Sequence, residues 1–231
     1  MNYTILFSGK GTIFIVLPAN TPFYLTGGTL LGRYYYGHRY SDDLDYFVNN
    51  DDDYQKYVRA IIKELKKQES VLLFTVDNEA ILAEKDYTQL VVTKRMDEDT
   101  FDLRIDLIND VAARDGEIET DEKFGRIDNV LNILSNKLTA MYRLEPKDIA
   151  DVLIISKNVE FDWKVIVLSA KEKEMGLDVL KISEIIKTFP IDYIDKIKWS
   201  MPVDKKRFLD EVSVISEDLF WSRKNTLPST Y

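Results

Sequence analysis

The sequence predicts an α+β chain with a strand-rich first half and a helical second half. Three observations predict it. Polar and apolar residues alternate from Asp42 to Val48 and again from Phe101 to Ile108, the period of a strand with one buried face. Between those strands Tyr57, Val58, Ile61, Ile62 and Leu65 fall at the three-four spacing of an amphipathic helix. Beyond Gly125 apolar residues recur at helical spacing almost to the carboxyl end.

Residues 1–20 mix β-branched residues with Gly9 and Gly11, and their periodicity does not choose between helix and strand. Gly27-Gly28-Thr29 is a glycine-rich turn. In the strand that follows, Asp43 and Asp45 point to one face while Leu44 and Tyr46 turn into a core. The acidic run 49–53 reads as a turn capping a helix over Tyr54–Gln68. Val71–Val76, Ala80–Glu84, Tyr87–Thr93 and Phe101–Ile108 then form a meander packed on that helix, separated by Asp-Asn, Lys-Asp and Asp-Glu-Asp turns. In its last strand Phe101, Leu103, Ile105 and Leu107 share one face and Asp102, Arg104 and Asp106 the other, so a third carboxylate is available to a neighbouring strand. Helices are predicted over Val130–Tyr142, Asp148–Ser156, Trp163–Glu174, Val179–Thr188 and Lys205–Phe220, with Pro146, Gly176, Pro190 and Pro202 at their ends. The Asp-, Glu- and Gly-rich stretch 112–126 divides a domain of residues 1–115 from one of residues 116–231.

With 231 residues, 45% of them hydrophobic and 31% charged, the chain can bury a substantial core. A net charge of −9 argues against non-specific coating of nucleic acid through a broad basic face. The absence of cysteine excludes disulfides, zinc fingers and thiol chemistry, so any metal is bound through oxygen. The longest apolar runs, such as 12–17, are too short to span a bilayer. A cleavable leader would remove part of the Gly27 motif, and a cytoplasmic location is expected.

Two phosphate motifs fail on spacing. Ser8-Gly9-Lys10-Gly11-Thr12 has Thr4 where a P-loop needs its first glycine, and Gly27-Gly28-Thr29-Leu30-Leu31-Gly32 has the wrong offsets for a dinucleotide fingerprint. Asp42-Asp43-Leu44-Asp45 is different. An arbitrary string of this kind is ordinarily a solvated acidic turn. Here it interrupts a strand with apolar flanks, after a Gly-Gly-Thr turn, and two hard oxygen ligands converging on one spot suit Mg²⁺.

Two separated motifs carry a family resemblance. The first is Phe23-Tyr24-Leu25-Thr26-Gly27-Gly28-Thr29 with Gly37-His38-Arg39-Tyr40-Ser41-Asp42-Asp43-Leu44-Asp45; the second is Lys137-Leu138-Thr139-Ala140 through Arg143 to Lys147-Asp148-Ile149-Ala150-Asp151. In this order they resemble the nucleotidyltransferases of the AbiEii/AbiGii abortive-infection toxin type, within the polymerase-β-like superfamily. Two residues separate Ala140 from Arg143 where the family pattern has three.

The resemblance implies a mixed-sheet nucleotidyltransferase core with flanking helices and a C-terminal helical bundle closing an active-site cleft. Asp43, Asp45 and Asp106 would bind Mg²⁺, with Asp106 helping to deprotonate an attacking hydroxyl. Gly27, Gly28, Thr29 and Ser41 would hold the phosphates of an NTP, while Lys137 and also Arg143 or Lys147 would neutralise charge. His38 and Arg39 would shape the loop before the catalytic strand, with Arg39 within reach of phosphate. Lys147, Asp148 and Asp151, at helical spacing, read equally as a capping and salt-bridge cluster. The aromatic run 34–36 reads as packing. The family further implies a toxin of a toxin–antitoxin or phage-defence pair, an RNA acceptor such as the tRNA 3′ end, and a cognate antitoxin. Lys196, Lys198, Lys205, Lys206 and Arg207 read either as a local RNA contact or as a solvated helix face, with the solvated face slightly favoured. A small-molecule nucleotidyltransferase and a catalytically silent nucleotide-binding or interaction module are the competing readings.

Overall fold

The computed structural model describes residues 4–8, 12–17, 21–72, 74–96 and 98–227. Gly9, Lys10 and Gly11 of the rejected P-loop string lie outside the described residues. The chain forms two compact units that interleave in sequence: Met1–Leu30, Asp42–Val111 and Glu117–Asp128 make the first, and Leu31–Ser41, Ala112–Gly116 and Asn129–Tyr231 the second.

In the first unit β1 (Thr4–Ser8) pairs antiparallel with β2 (Thr12–Val16). The main sheet has eight strands: β3 (Tyr24–Thr26), β4 (Asp43–Asn49), β5 (Thr75–Val76), β6 (Leu82–Ala83), β7 (Tyr87–Met96), β8 (Asp99–Asp110), β9 (Glu119–Asp121) and β10 (Gly125–Ile127). They run in the order β5-β7-β8-β4-β3-β10-β9, with β6 against β7. The sheet is mixed, as expected: β4 is parallel to β8 and β3 to β10, while the other pairs are antiparallel. Along β4 the alternation predicted from sequence holds, with Leu44, Tyr46 and Val48 buried and Asp43 and Asp45 on the half-open face. Each such apolar side chain contributes roughly 1.5–3 kcal/mol by leaving water, so a one-residue slip, which would drive both carboxylates into the core, is strongly disfavoured.

The short helix α1 (Gly27–Leu30) follows β3, and α2 (Tyr54–Leu72) links β4 to the later strands. The buried ridge of α2 is Tyr54, Val58, Ile61 and Leu65, whereas Tyr57 and Ile62 are only half-buried. Tyr54 fastens the helix to the sheet, its hydroxyl donating to the Leu107 carbonyl at 2.8 Å. Val71 and Leu72 continue α2, so the strand expected over Val71–Val76 shrinks to β5. Residues β3, β9 and β10 form three-residue strands, too short to show a period of two.

The second unit contains α3 (Val130–Ala140), α4 (Pro146–Asn158), α5 (Trp163–Lys173), α6 (Val179–Lys187) and α7 (Lys205–Phe220). Side chains at their starts end the helices chemically: Asn129, Asp162, Asp178 and Asp204 each accept a backbone N–H of the first turn. Pro146 stands in the first turn of α4, where its missing N–H costs nothing. The predicted Val130–Tyr142 helix tightens to a 3₁₀ turn at Met141–Arg143 and stops at Leu144, which is left-handed at φ 57°. Lys173 ties α5 to α3, its ammonium donating to Asn132 Oδ1 at 2.6 Å, Ser135 Oγ at 2.6 Å and Asn136 Oδ1 at 2.7 Å. No helix among the described residues is long and apolar enough to cross a membrane.

Candidate active site

The parallel register of β4 on β8 sets Asp45 opposite Asp106 and Asp43 opposite Arg104. Residues two apart share a face, so all three carboxylates and the guanidinium emerge on one side of two adjacent strands. Arg104 bridges two of the acids: Nη2 lies 2.9 Å from Asp43 Oδ2 and Nε 3.4 Å from Asp106 Oδ2. The Tyr87 hydroxyl donates to Asp106 Oδ1 at 3.1 Å. Burial pushes the Asp106 carboxyl above the usual carboxylate range; the Arg104 charge and the Tyr87 hydrogen bond lower it in part, and Asp43 raises it again. Burial, then the Asp106 charge, push the Tyr87 phenol up to about 12, so it stays a donor.

The Gly-Gly-Thr turn is built into the same face. Gly27 sits at φ 72°, a region that disfavours a β-carbon, and a β-carbon there would lie 2.5 Å from Asp45 Oδ2. Glycine therefore makes room for a carboxylate. The buried Thr29 hydroxyl donates to the backbone carbonyl of Asp43, which pins the turn to the start of β4. Thr26 donates to Asp128 Oδ2 at 2.7 Å beneath it.

Among the described residues no three acidic or histidine side chains form a ready-made cation cage. Asp43, Asp45 and Asp106 nevertheless suit a hard divalent cation in donor type: they are oxygen donors that share one face of two adjacent strands.

The second motif builds a different cluster, within the helical unit. Asp148 and Asp151, three apart on α4, are both fully buried. Lys137 from α3 reaches Asp148 Oδ1 at 2.8 Å and Asp151 Oδ2 at 2.7 Å. Arg143 donates from Nε to Asp148 Oδ2 at 2.7 Å and from Nη2 to Oδ1 at 3.0 Å. Asp151 also receives Arg39 through Nε at 2.7 Å and Nη2 at 2.6 Å, and His38 Nε2 at 2.9 Å. Because an ionised carboxylate only accepts, His38 carries its proton on Nε2. Burial alone would raise both acids; the Lys137 charge foremost, then the His38 and Arg39 hydrogen bonds on Asp151 and the Arg143 bond on Asp148, hold them below the usual range. Burial would likewise lower Lys137, and the Asp151 and Asp148 charges outweigh it and raise the ammonium.

His38 and Arg39 reach Asp151 from an extended segment clipped to residues 198–200, where Tyr40 N donates to the Lys198 carbonyl at 2.8 Å and Ser200 N to the His38 carbonyl at 3.2 Å. Gly32 admits this segment, since a β-carbon there would lie 2.6 Å from the Arg39 carbonyl oxygen. Arg39, Lys137 and Arg143 thus all engage carboxylates, while Ser41 and Lys147 are half-buried. In the carboxyl half Lys205 pairs with Asp195, Arg207 with Glu211, and the Lys196 ammonium stacks on Tyr193.

Sequence reasoning placed Arg104 on the acidic face without giving it a partner. A cation two residues before a carboxylate on a strand is the signal that could have done so. Tyr87 and Asp128 carried no such signal, because only strand pairing brings them to Asp106 and Thr26.

The fold has solved counterparts. JHP933 from Helicobacter pylori is 19% identical, with a TM-score of 0.59 over 88% of this chain and 85% of that one. A second H. pylori protein, a provisionally assigned nucleotidyltransferase, is 18% identical, with a TM-score of 0.57 over 92% and 91%. No curated protein matches the chain. The family described as nucleotidyl transferase AbiEii toxin, type IV toxin–antitoxin system, matches residues 14–218, and with that span the chain belongs to this nucleotidyltransferase family.

Proposed function

We propose that this nucleotidyltransferase transfers a nucleoside monophosphate from an NTP to a hydroxyl of RNA, with Mg²⁺ held by Asp43, Asp45 and Asp106, and that it acts as the toxin beside a cognate antitoxin. The observation that carries the metal site is the register that sets Asp45 against Asp106, with Asp43 on the same face. When bound, the metal would neutralise the polyphosphate and favour departure of pyrophosphate. Asp106, contacted on that face by Tyr87 and Arg104, accepts the proton of the attacking hydroxyl. Gly27 and Gly28 offer backbone N–H groups to phosphate oxygens, and Thr29, its hydroxyl spent on the Asp43 carbonyl, offers the same. The family resemblance assigns a phosphate-binding hydroxyl to Ser41 and positive charge to Lys147, Lys137, Arg143 and Arg39; the last three engage carboxylates within the helical unit. His38, Asp148 and Asp151 tie those cations together within the helical unit.

The acceptor follows from the family and is tested directly. Protein is incubated with each of the four α-labelled NTPs, Mg²⁺ and total RNA. Label in the tRNA band, lost with Asp43→Asn, is the expected result. Label confined to small molecules would replace RNA with a metabolite acceptor, and label nowhere would overturn the transfer reading.

A further inference from the structure

Arg104 sits where a shared cation would sit. Its guanidinium contacts Oδ2 of both Asp43 and Asp106, the two acids that only a ligand bridging β4 and β8 can join. A divalent ion ligated by those oxygens at about 2.0–2.1 Å would bring its charge against the guanidinium, and like charges at that separation repel. The Arg104 side chain is 44% exposed, so it is free to leave toward solvent without disturbing the core residues Leu103 and Ile105 beside it.

We propose that Arg104 is an exchangeable internal cation: it neutralises Asp43 and Asp106 in the metal-free protein, yields them to the divalent ion, and turns its donors onto the polyphosphate that arrives with that ion. The inference rests on the metal reading above and adds a residue that neither sequence motif contains. It explains how Asp43 and Asp106 are tolerated side by side on one sheet face before metal arrives. Metal alone meets a competitor. Metal with polyphosphate does not, because the displaced guanidinium gains a new anionic partner with fork geometry.

The test is Mn²⁺ binding by the full chain, followed by electron paramagnetic resonance, with and without inorganic tripolyphosphate. Arg104→Gln should bind Mn²⁺ alone roughly two- to fivefold more tightly than wild type, the fold-change matching loss of a partly exposed ion pair. Arg104→Lys, which keeps the charge but cannot span both acids, should fall between. Tripolyphosphate should tighten Mn²⁺ binding in wild type and do so several-fold less in Arg104→Gln. Equal Mn²⁺ affinity in all three proteins, with binding still lost in Asp43→Asn, overturns the exchange and leaves the metal site standing. Unequal Mn²⁺ affinities with an undiminished tripolyphosphate effect overturn the phosphate half. Absence of Mn²⁺ binding in wild type and in every variant overturns the metal reading itself, and the inference with it.

Discussion

In the sheet unit Arg104 bridges two of three carboxylates on a face that solvent reaches; in the helical unit Lys137, Arg39 and Arg143 close around two carboxylates that solvent does not reach. Both clusters set aspartates against cations, one guanidinium in the sheet unit and three cations in the helical unit. Burial keeps the Asp106 carboxyl raised despite its partners, so that group favours its protonated form. Asp148 and Asp151 are held low, so their cluster is already satisfied. On the proposed reading the open cluster is the one that takes a cation, whereas the closed one holds helices in register.

The largest effect that tests this contrast is on turnover. Asp45→Asn should cut nucleotide transfer by about 10³-fold or more, on the order of 4 kcal/mol of transition-state stabilisation. Its urea midpoint should stay within experimental error of wild type. A parallel loss of stability would mean that the sheet cluster is also scaffolding.

Asp151→Asn reverses the pattern. It leaves Lys137 and Arg39 buried against a neutral amide, and removing one partner of a buried pair costs about 3–5 kcal/mol. The urea midpoint should collapse accordingly, with activity falling only in step with the folded fraction. Arg143→Ala should cost far less, about 1 kcal/mol, because its side chain is half exposed and Asp148 keeps Lys137.

Gly27→Ala lies between the two. The left-handed backbone charges about 1–2 kcal/mol to a β-carbon, and the methyl meets Asp45 Oδ2. Transfer should fall more than tenfold with only that modest destabilisation, read by comparing turnover with the urea midpoint.

The two clusters also differ in how much of them the sequence discloses. Asp43, Asp45 and Asp106 were legible because strand alternation dictates which side chains share a face, and short-range periodicity survives folding. Their alignment was not, since the pairing of Asp45 with Asp106 depends on a parallel crossover through α2. Helical spacing alone marked Asp148 and Asp151 as salt-bridge partners with Lys147, but the cations that engage them are Lys137, Arg143 and Arg39. The His38 and Arg39 contacts to Asp151 span more than a hundred residues and leave no local trace, so these residues were read as shaping the loop before β4 and, for Arg39, as reaching phosphate. The π-helical turn Leu31–Tyr35 was equally hidden, because its glycine answers to the Arg39 carbonyl and not to a neighbour in sequence.

The smallest and sharpest prediction is a difference of sign with pH, measured on metal-free protein in EDTA. A carboxyl held low in the folded state contributes stability above its unfolded value of about 3.9, and that contribution is lost as pH falls through its folded value. Asp151→Asn should therefore show its full deficit at neutral pH, and the deficit should shrink only below about pH 4. Lys137, raised in the fold, contributes fully below its unfolded value of about 10.4 and loses that contribution as pH rises through the folded one. Asp106 runs the other way: its raised carboxyl costs stability once ionised, and the cost disappears as pH falls through the folded value toward about 3.9. Asp106→Asn should thus be as stable as wild type in acid and more stable at neutral pH, where it relieves burial of the charge and its repulsion with Asp43. Stability curves for the two variants that diverged from wild type in the same direction would remove the distinction between an open cluster and a closed one.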